Sequence, residues 1–461
     1  MTLIKSISGF RGTIGGAPEE NLTPIDAVRF AAAYATLLLE QHPKSCAVVL
    51  GRDARLSGPM LYELVAQTLI GMGVDIIDLG LSTTPTVEMA VVFEQAQGGI
   101  ILTASHNPKE WNALKLLDSS GEFIAAETGK ALLDLVAQDA YTFAQVDDLG
   151  SRRCADNALE QHIDAILALD LVDASLIAKQ NFKVVVDGVN SSGGIAVPQL
   201  LKALGVETIP LYCDPTGHFP HNPEPLEEHL GDLRALVVQE KAHFGIVVDP
   251  DVDRLAFVDE KGQMFGEEYT LVACADFVLS QKSGNTVSNL SSTKALSDVT
   301  KKLNGEYFAS AVGELNVVQL MKAKQAVIGG EGNGGVILPE LHYGRDALVG
   351  IALFLTHLAQ KQIQVSELRA TYPNYFMAKL KINLAPEMDV DALLHQIQQI
   401  YAEQKPLTTD GVKIPFDNSW VHLRKSNTEP IIRVYTEAPS AAEAQALGER
   451  FVQELEELSN S

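Results

Sequence analysis

Cys46-Ala-Val-Val-Leu50, Val74-Asp-Ile-Ile-Asp78 and Gly99-Ile-Ile-Leu102 are three short apolar runs, separated by two stretches with helical periodicity over about residues 59–72 and 85–95. Apolar runs this short have the length of buried strands, whereas the stretches between them are long enough for helices. Strands that alternate with helices along the chain build βαβ units, whose strands are parallel. This part of the sequence therefore predicts an α/β fold with a parallel sheet.

The same alternation starts again further along the chain. Phe182-Lys-Val-Val-Val-Asp187 predicts a strand, which is followed by helices near 193–204 and 226–242 and by a strand at Phe244-Gly-Ile-Val-Val248. A third cycle begins after about residue 256. The pattern predicts three similar α/β units, although the sequence of one is not repeated in the next.

The last part of the chain has a different order of elements. Tyr375-Phe-Met-Ala-Lys-Leu-Lys-Ile382 predicts a strand, followed by a helix over about 388–403, two or three further strands, and a final helix over about 440–458. This order indicates an α+β domain. We expect the domain to begin near Tyr372-Pro-Asn374 and to be able to swing onto a substrate.

A polar loop, Thr103-Ala-Ser-His-Asn-Pro108, follows directly after the third apolar run. In open α/β sheets ligands bind outside the carboxyl ends of the strands, so this loop is a candidate site. Ser105 places a small hydroxyl beside an imidazole, that of His106, and is a candidate nucleophile. A polar turn without chemistry is the alternative that this loop alone leaves open.

A second loop, Asp249-Pro-Asp-Val-Asp-Arg254, also follows a predicted strand. Asp249, Asp251 and Asp253 would place carboxylate oxygens around one point, as a hard cation such as Mg2+ requires, and their mutual repulsion is costly without a cation. A solvated acidic turn is the alternative. A calcium EF-hand loop is excluded because its sixth position needs glycine and is Arg254 here. Asp251-Val-Asp253 could also be interpreted as the two-aspartate loop of a haloacid-dehalogenase-type phosphatase, but that interpretation would leave the serine loop unexplained.

A third loop, Gly330-Glu-Gly-Asn-Gly-Gly335, satisfies the dinucleotide-binding pattern G-x-G-x-x-G. That pattern requires a helix directly behind it, but the strand-like run Val336-Ile-Leu-Pro339 follows, so we do not expect a Rossmann cofactor site. The glycines instead offer a flexible backbone from which Glu331 and Asn333 could reach sugar hydroxyls. A purely structural turn is the alternative.

A fourth loop, Arg424-Lys-Ser-Asn-Thr-Glu-Pro430, is followed by Arg433. Guanidinium groups, hydroxyls and backbone N–H groups around one turn suit a phosphate dianion. The candidate phosphate ligands are Arg424, Ser426, Asn427, Thr428 and Arg433.

The composition limits the class of partner. The chain has 461 residues and a net charge of −24, so we expect neither nucleic acid nor anionic membranes as partners.

The length of the chain suits roughly three domains. No apolar run approaches the ~20 residues that span a bilayer, and the amino end lacks a signal-peptide pattern. The cysteines are widely scattered, as in a reduced, cytoplasmic protein: Cys46, Cys154, Cys213 and Cys274.

Together, in this order and spacing, the four loops resemble those of the α-D-phosphohexomutase family, which includes phosphoglucomutases, phosphomannomutases and phosphoglucosamine mutases. The resemblance covers essentially the whole chain and extends to Ser8-Gly-Phe-Arg-Gly12, Gly51-Arg-Asp-Ala-Arg-Leu-Ser-Gly58 and Phe219-Pro-His-Asn-Pro-Glu-Pro225. It implies an α/β fold of three similar mixed-sheet α/β domains followed by an α+β C-terminal domain, around one central cleft. The implied domains are 1–150 with the serine loop, 151–255 with the metal loop, 256–371 with the sugar-binding loop, and 372–461 with the phosphate-binding loop.

The resemblance also implies a reaction that uses all four loops. Ser105 would carry a phosphoryl group beside a Mg2+ ion held by the three aspartates and by the serine itself. It would transfer this group to a hexose phosphate, and the resulting hexose 1,6-bisphosphate would turn round before Ser105 takes back the other phosphate. The sugar-binding loop would hold the hexose, and the arginine loop would hold the phosphate that is not reacting.

Further residues are implied to assist. Lys115 matches the family's general acid or base, and we expect the like charge of Arg11 to lower its pKa. His106 would support the serine or polarise a phosphate oxygen, or would only fix the turn by hydrogen bonding. Arg254 would balance the charge of the phosphoserine or pair with an aspartate.

The sequence departs from the family pattern at two places, of which the second bears on the sugar. The serine loop continues as Lys109-Glu-Trp-Asn112, where many relatives have a proline and a tyrosine. The sugar-binding loop ends in Gly334-Gly335, where many bacterial members have Gly-His, and is followed by His342-Tyr-Gly-Arg-Asp346. This form resembles the archaeal-type phosphoglucosamine mutase and phosphomannomutase branch.

We therefore expect an isomerase that acts on a phosphorylated hexose or hexosamine, as a monomer or homodimer. Phosphoglucosamine mutase is the first expectation, and phosphomannomutase or phosphoglucomutase is the alternative. A metal-dependent sugar phosphatase and a non-catalytic binding protein are more distant alternatives. The binding protein is disfavoured because binding alone needs no nucleophile.

Overall fold

The computed structural model of the chain describes residues 2–6, 9–383, 389–425 and 431–459. The chain divides into two units. The first unit contains Met1–Thr270 and Gly334–Ser366, and the second contains Leu271–Asn333 and Glu367–Ser461.

The first unit begins with a seven-stranded mixed sheet. Its elements are β1 (Ile4–Ser6), β2 (Gly9–Thr13), α1 (Pro24–Gln41), β3 (Ala47–Arg52), α2 (Gly58–Gly71), β4 (Asp75–Leu81), α3 (Thr84–Phe93), β5 (Gly98–Leu102), β6 (Trp111–Leu117), α4 (Ala126–Gln138) and β7 (Arg152–Cys154). The strand order is β1-β2-β6-β5-β3-β4-β7. β3, β4, β5 and β7 are parallel, as the alternating sequence predicts, whereas β1, β2 and β6 join the sheet through antiparallel pairs.

Helix α1 packs against this sheet at close range. Thr23 and Asp26 form a capping box at its start, which satisfies backbone N–H groups of the first turn. Its alanines are fully buried, and the hydroxyl of Tyr34 donates a hydrogen bond of 2.5 Å to the carbonyl of Leu117. A Cβ atom on Gly98 would lie only 2.0 Å from that hydroxyl, so the strand must carry glycine there.

A second sheet of the first unit carries the acidic loop. Its elements are α5 (Ala158–Leu167), α6 (Ala174–Lys179), β8 (Lys183–Asp187), α7 (Gly193–Ala203), β9 (Glu207–Leu211), α8 (Gly231–Gln239), β10 (Phe244–Val248) and β11 (Leu255–Val258). The order is β11-β10-β8-β9, with β10, β8 and β9 parallel and β11 antiparallel to β10. The acidic loop is therefore the turn between two adjacent antiparallel strands.

The chain then passes into the second unit and back. The elements are α9 (Glu267–Gln281), β12 (Asn285–Asn289), α10 (Lys294–Lys302), β13 (Tyr307–Ser310), α11 (Glu314–Lys324), β14 (Ala326–Glu331), β15 (Gly335–Ile337), α12 (Ala347–Lys361) and α13 (Val365–Ala370). β12 is parallel to both β13 and β14. A strand, β15, follows the glycine loop, as the strand-like run after this loop predicts, where a Rossmann site would need a helix.

Helix α12 is the central helix of the first unit. Every residue from Ala347 to Ala359 is buried, which explains why this part of the sequence is apolar on all sides. Phe354 stacks on Phe257 of β11 with ring centroids 3.8 Å apart. The helix is thereby fixed against the strand that leaves the acidic loop.

The C-terminal part of the second unit is α+β, as predicted. It contains β16 (Phe376–Asn383), α14 (Val390–Ile400), β17 (Val412–Pro415), β18 (Trp420–Lys425), β19 (Ile431–Ala438) and α15 (Ala441–Ser459). The strands form an antiparallel sheet in the order β16-β19-β18-β17. Ile432 and Val434 of β19 are buried in its core, so Arg433 between them lies on the opposite face.

Among the residues that the structure describes, no helix is both long and apolar enough to cross a bilayer.

Candidate functional site

Ser105 lies in the loop at the carboxyl end of β5, a strand whose residues are all buried. Its hydroxyl donates a 2.6 Å hydrogen bond to Oδ2 of Asp249 and lies 3.3 Å from Nδ1 of His106. The backbone of Ser105 has a φ of 50°, in the left-handed region that residues other than glycine seldom adopt. The folded chain therefore holds this hydroxyl in a defined and strained position, as is common at functional sites.

Arg55 holds the serine loop in place. Its side chain is fully buried, and its guanidinium donates hydrogen bonds to the carbonyls of Ser105, Asn107 (2.6 Å), Pro108 (2.7 Å) and Trp111 (3.0 Å). The remaining N–H, on Nε, donates to Oδ2 of Asp53 at 3.0 Å.

Arg55 belongs to the segment Gly51–Gly58, and the sequence alone assigns this arginine no role. A buried arginine is costly unless every N–H is paired, so its burial is the sign that identifies it. The burial of Arg55 can be seen only in the folded structure.

The acidic loop is held by its own backbone and by two serines. Oδ1 of Asp249 accepts hydrogen bonds from the backbone N–H groups of Asp253 and Arg254, both at 3.1 Å. Ser191 and Ser192 each donate a 2.7 Å hydrogen bond to the carbonyl of Pro250. These contacts fix a turn in which carboxylates point to one side.

The backbone of this turn is itself strained. Val252 has a φ of 65°, which is unfavourable for a β-branched residue. Such a conformation persists only where the surrounding structure enforces it.

The three aspartates converge as the sequence predicts. Asp249, Asp251 and Asp253 are fully buried, and one ligand oxygen from each lies within 4.8 Å of the others. Counting only described residues, Oδ1 of Asp251 and Oδ1 of Asp253 have no hydrogen-bond partner. Buried carboxylate oxygens without donors are the ligands that a hard cation prefers, so this group could hold a metal ion.

Positive side chains surround the aspartates. Nζ of Lys115 lies 2.7 Å from Oδ2 of Asp251 and 3.4 Å from Oδ2 of Asp253, and Nη2 of Arg345 lies 2.7 Å from the same Asp253 oxygen. The hydroxyl of Thr84 donates a further hydrogen bond of 2.6 Å to Oδ2 of Asp251. Arg345 belongs to the segment 342–346, and no local pattern in the sequence predicts its position beside Asp253.

Arg254 pairs mainly with another residue. Its Nη1 lies 3.1 Å from Oε1 of Glu224, whereas its Nε is 4.0 Å from Oδ1 of Asp253. The ion pair of Arg254 with Glu224 is therefore closer than its contact with an aspartate, so pairing with an aspartate is not its main interaction.

Burial and neighbouring charges shift the pKa values of several side chains in the site. Burial, and then the charges of its two neighbours in the loop, raise the pKa of Asp249 well above its ordinary value. Although burial opposes it, the pKa of Asp253 is lowered by the charges of Arg345 and Lys115. Burial, followed by the charges of Arg254 and Arg11, lowers the pKa of His106 well below its ordinary value, so this imidazole is neutral near pH 7.

The expectation of a lowered pKa for Lys115 is wrong. Arg11 and Lys115 do lie on one face of neighbouring strands, since Arg11 pairs with Ala113 and Gly9 pairs with Lys115. However, although burial opposes it, the carboxylates of Asp251 and Asp253 raise the pKa of Lys115 above its ordinary value. Arg11 instead donates a 2.7 Å hydrogen bond to Oδ1 of Asn107 in the serine loop.

The second unit carries the remaining candidates. Glu331 is buried at the end of β14, where its Oε1 accepts hydrogen bonds from Nδ2 of Asn289 (2.8 Å) and from the N–H of Gly313 (3.1 Å). Asn333 lies two residues further along the same loop. The loop is therefore an ordered turn whose glutamate has a fixed orientation.

Arg424 and Arg433 lie directly opposite each other on β18 and β19, and Lys381 of β16 is the partner of Arg433 on its other side. Three cations thus form one row across a single face of the sheet. We call Arg424, Arg433 and Lys381 the basic row. Like charges directly opposite each other are destabilising, so the row favours an anion. The candidates Ser426, Asn427 and Thr428 lie outside the described residues.

Nε of Arg424 forms an ion pair with Oδ2 of Asp410 at 2.7 Å, and this oxygen accepts a 2.9 Å hydrogen bond from the N–H of Val312. This carboxylate holds one end of the basic row in position. The sequence predicts only that Lys381 belongs to a strand. Its alignment with the arginines depends on strand register.

Family comparisons cover nearly the whole chain. Four successive family models, described as phosphoglucomutase/phosphomannomutase alpha/beta/alpha domains I, II and III and C-terminal domain, match residues 5–142, 160–262, 266–375 and 381–454. Each model matches a part of the chain that contains one of the four loops.

Individual relatives match over nearly their full length. A phosphoglucomutase/phosphomannomutase of Thermococcus kodakarensis is 36% identical over 97% of this chain and 98% of its own. A phosphoglucosamine/phosphogalactosamine mutase of Sulfurisphaera tokodaii is 31% identical over 93% and 94%. A crystal structure of a phosphoglucomutase/phosphomannomutase family protein from Burkholderia thailandensis, 26% identical, covers 99% of this chain and 98% of its own with a TM-score of 0.83.

The α/β units, the acidic cluster and these matches define an isomerase that works by phosphoryl transfer. The chain belongs to the α-D-phosphohexomutase family, whose domains are those of the phosphoglucomutases and phosphomannomutases. The relatives carry different substrate names, so the comparisons establish a phosphohexomutase without selecting its sugar.

Proposed function

We propose that the enzyme interconverts a hexose 6-phosphate and the corresponding hexose 1-phosphate, with Ser105 as the phosphoryl carrier. The observation that carries this proposal is the 2.6 Å hydrogen bond from the Ser105 hydroxyl to a carboxylate of the acidic loop. A nucleophilic oxygen beside buried carboxylates that can bind a metal suits phosphoryl transfer, in which positioning and charge neutralisation supply most of the catalysis.

Asp249, Asp251 and Asp253, with Ser105, would hold the cation, and Mg2+ fits the all-oxygen donor set. When bound, the ion would neutralise charge on the phosphoryl group that is transferred. The chain's own contribution is orientation. Asp249 aims the serine hydroxyl, and Arg55 keeps the carbonyl groups of the loop from moving.

Proton transfer and charge balance fall to neighbouring side chains. His106 is neutral, and its Nδ1 lies 3.3 Å from the serine hydroxyl, so it would support the serine or polarise a phosphate oxygen. Lys115 supplies an ammonium beside the acidic loop, where it would meet a phosphoryl oxygen or the hydroxyl of the sugar. Arg11 and Arg254 would balance the negative charge of a phosphoserine.

We assign sugar and phosphate recognition to the second unit. Glu331 and Asn333 would bind sugar hydroxyls, and the basic row would bind the phosphate that is not reacting, because guanidinium groups bind phosphate through paired N–H donors. Ser426, Asn427 and Thr428 complete this phosphate site in the proposal. After the first transfer, a hexose 1,6-bisphosphate would turn round, and the same groups would hold it in either orientation.

The proposed sugar is glucosamine, so that the enzyme would be a phosphoglucosamine mutase. Support comes from the Sulfurisphaera tokodaii relative, whose name specifies amino sugars. The alternative is phosphomannomutase or phosphoglucomutase activity, which the name of the Thermococcus kodakarensis relative favours.

The test is a side-by-side measurement of kcat/KM on glucosamine 6-phosphate, glucose 1-phosphate and mannose 1-phosphate, with Mg2+ and hexose bisphosphate present. One contact to the C2 substituent is worth about 1–3 kcal/mol, so the preferred sugar should lead by about 10- to 200-fold. A lead for glucose or mannose would replace glucosamine in the proposal. Release of inorganic phosphate without formation of the isomer would contradict the phosphoserine cycle.

We also propose four domains, with boundaries after residues 150, 255 and 371. Limited proteolysis followed by mass spectrometry tests these positions, since exposed linkers are cut before folded domains. The boundary near 255 falls at the first residue of β11, so the cut there is expected in the chain that follows this strand, and first cuts far from all three positions would contradict the boundaries.

A further inference from the structure

A second group of possible metal ligands lies apart from the three aspartates. It consists of His162 on α5 and of His342 and Asp346 just before α12. His162 and Asp346 are fully buried, and His342 is largely buried. Nε2 of His162 is 2.9 Å from Oδ2 of Asp346, and Nε2 of His342 is 3.3 Å from the same oxygen.

Each of these three side chains is oriented through its other polar atom. Nδ1 of His162 is 3.1 Å from the hydroxyl of Thr86, and Nδ1 of His342 is 3.4 Å from Oε2 of Glu88. Oδ1 of Asp346 accepts hydrogen bonds of 2.8 and 3.3 Å from two backbone N–H groups at the start of α12. The 3.4 Å separation of His342 and Glu88 is an ion-pair distance and not a hydrogen bond; metal-binding histidines commonly have a carboxylate or hydroxyl beside the second ring nitrogen while the first faces the ion.

The donor set differs from that of the acidic loop. Two imidazole nitrogens and one carboxylate oxygen suit a first-row transition ion such as Zn2+, whereas oxygen donors alone suit Mg2+. The three ligand atoms lie within 4.8 Å of one another, close enough to surround one ion.

We propose that Nε2 of His162, Nε2 of His342 and Oδ2 of Asp346 bind one Zn2+ ion. The ion would join α5 to the start of α12, and Thr86 and Glu88 of α3 lie beside the two rings.

Two of these helices contact the acidic loop directly. At the start of α3, the N–H of Thr84 donates a 2.8 Å hydrogen bond to the carbonyl of Asp251. At the start of α12, the N–H of Ala347 donates a 3.1 Å hydrogen bond to the carbonyl of Val252. A metal that joins α5 to the start of α12, beside α3, therefore stabilises the loop that carries the aspartates, without contact with the reacting groups.

The experiment measures zinc retained by the full-length, tag-free protein. The protein is kept in excess Mg2+ to occupy the acidic loop, loaded with Zn2+, passed through a desalting column with a weak chelator, and analysed by mass spectrometry of the metals. We expect about one zinc per chain, together with a higher Tm than that of the zinc-free protein. Replacing Glu88 by glutamine should weaken Zn2+ binding by about 10- to 100-fold, as loss of a carboxylate behind a metal-binding histidine does.

Four variants locate the ion. His342→Gln and Asp346→Asn should lose the zinc, and asparagine at 346 still caps α12, so the helix should remain folded. His395→Gln, at an exposed histidine of α14, and Asp251→Asn should keep it. The proposal is overturned if the wild-type protein retains no more zinc than His342→Gln, which would leave a cluster held by hydrogen bonds alone. It is also overturned if zinc is lost from Asp251→Asn and kept by Asp346→Asn.

Discussion

Replacing Arg55 by lysine tests whether the position of the serine loop limits catalysis. The guanidinium of Arg55 donates one hydrogen bond to Asp53 and four to loop carbonyls, from Ser105 to Trp111. Lysine keeps the positive charge but has only three donors, so at least two of these buried oxygens lose their partner. An unsatisfied buried acceptor costs about 1–3 kcal/mol, which gives a loss of about 2–6 kcal/mol in the free energy of unfolding.

Turnover should fall for a separate reason. The carbonyl of Ser105 would no longer be fixed, and a displacement of about 1 Å at a reacting group costs about 100-fold in rate. Because the hydrogen bonds of Arg55 go to Asp53 and to the serine loop, whereas sugar and phosphate recognition is assigned to other loops, kcat should fall while KM for the phosphosugar changes little. Urea unfolding and steady-state kinetics at saturating Mg2+ measure the two effects.

Arg52 is the matched control in the same segment. It is only half-buried, and its Nη1 makes a 3.0 Å hydrogen bond to the carbonyl of Asp53. Arg52→Lys should therefore cost less than about 1 kcal/mol in stability, with kcat close to that of the wild type. The reasoning is refuted if Arg55→Lys has wild-type stability and kcat, or if both variants lose activity equally.

Four further outcomes are expected. Ser105→Ala should lose turnover by about 1000-fold or more while still binding phosphosugar; phosphate-free active enzyme in intact-mass analysis would contradict the role. Asp251→Asn should weaken activation by Mg2+ at least about tenfold, and full activity in excess chelator would exclude the metal. Arg424→Ala should lower kcat/KM by about 10- to 100-fold in both directions and release more hexose bisphosphate, with partial rescue by lysine; unchanged KM and bisphosphate release would place phosphate recognition elsewhere. Asp187 raises the pKa of His221, although burial opposes this shift. The contribution of this pair to the free energy of unfolding is therefore complete below about pH 6.5 and is lost as the pH rises through the raised pKa. His221→Asn should flatten that dependence in urea unfolding, and an unchanged pH profile would exclude the pair as its source.

Local patterns in the sequence predict the strands that carry the site. β5 and β10 were expected at 99–102 and 244–248 and occur at Gly98–Leu102 and Phe244–Val248. Such strands are buried on both faces, so their residues are apolar without interruption and the polar loops that follow are easily recognised. β2 was missed, because Gly9–Thr13 contains glycine and arginine and shows no apolar run.

The pKa of Lys115 is raised where the sequence predicted a lowered value, and this difference shows where sequence reasoning fails. Arg11 was a reasonable neighbour to expect, but the shift is caused by Asp251 and Asp253, more than a hundred residues away along the chain. An electrostatic effect depends on distances in space and on burial, neither of which a local pattern contains. The alignment of Lys381 with Arg433 likewise depends on strand register, which brings together residues far apart in sequence.

The sequence by itself determined the α/β class, the serine and acidic loops, and the family. It could do so because a buried strand and the turn behind it are local features. Only the tertiary structure decided that the Ser105 hydroxyl meets Asp249, that Arg55 binds the serine loop, and that two histidines converge on Asp346. These contacts join residues on different sheets and helices, and packing of whole elements, rather than any short stretch of chain, sets the distances between them.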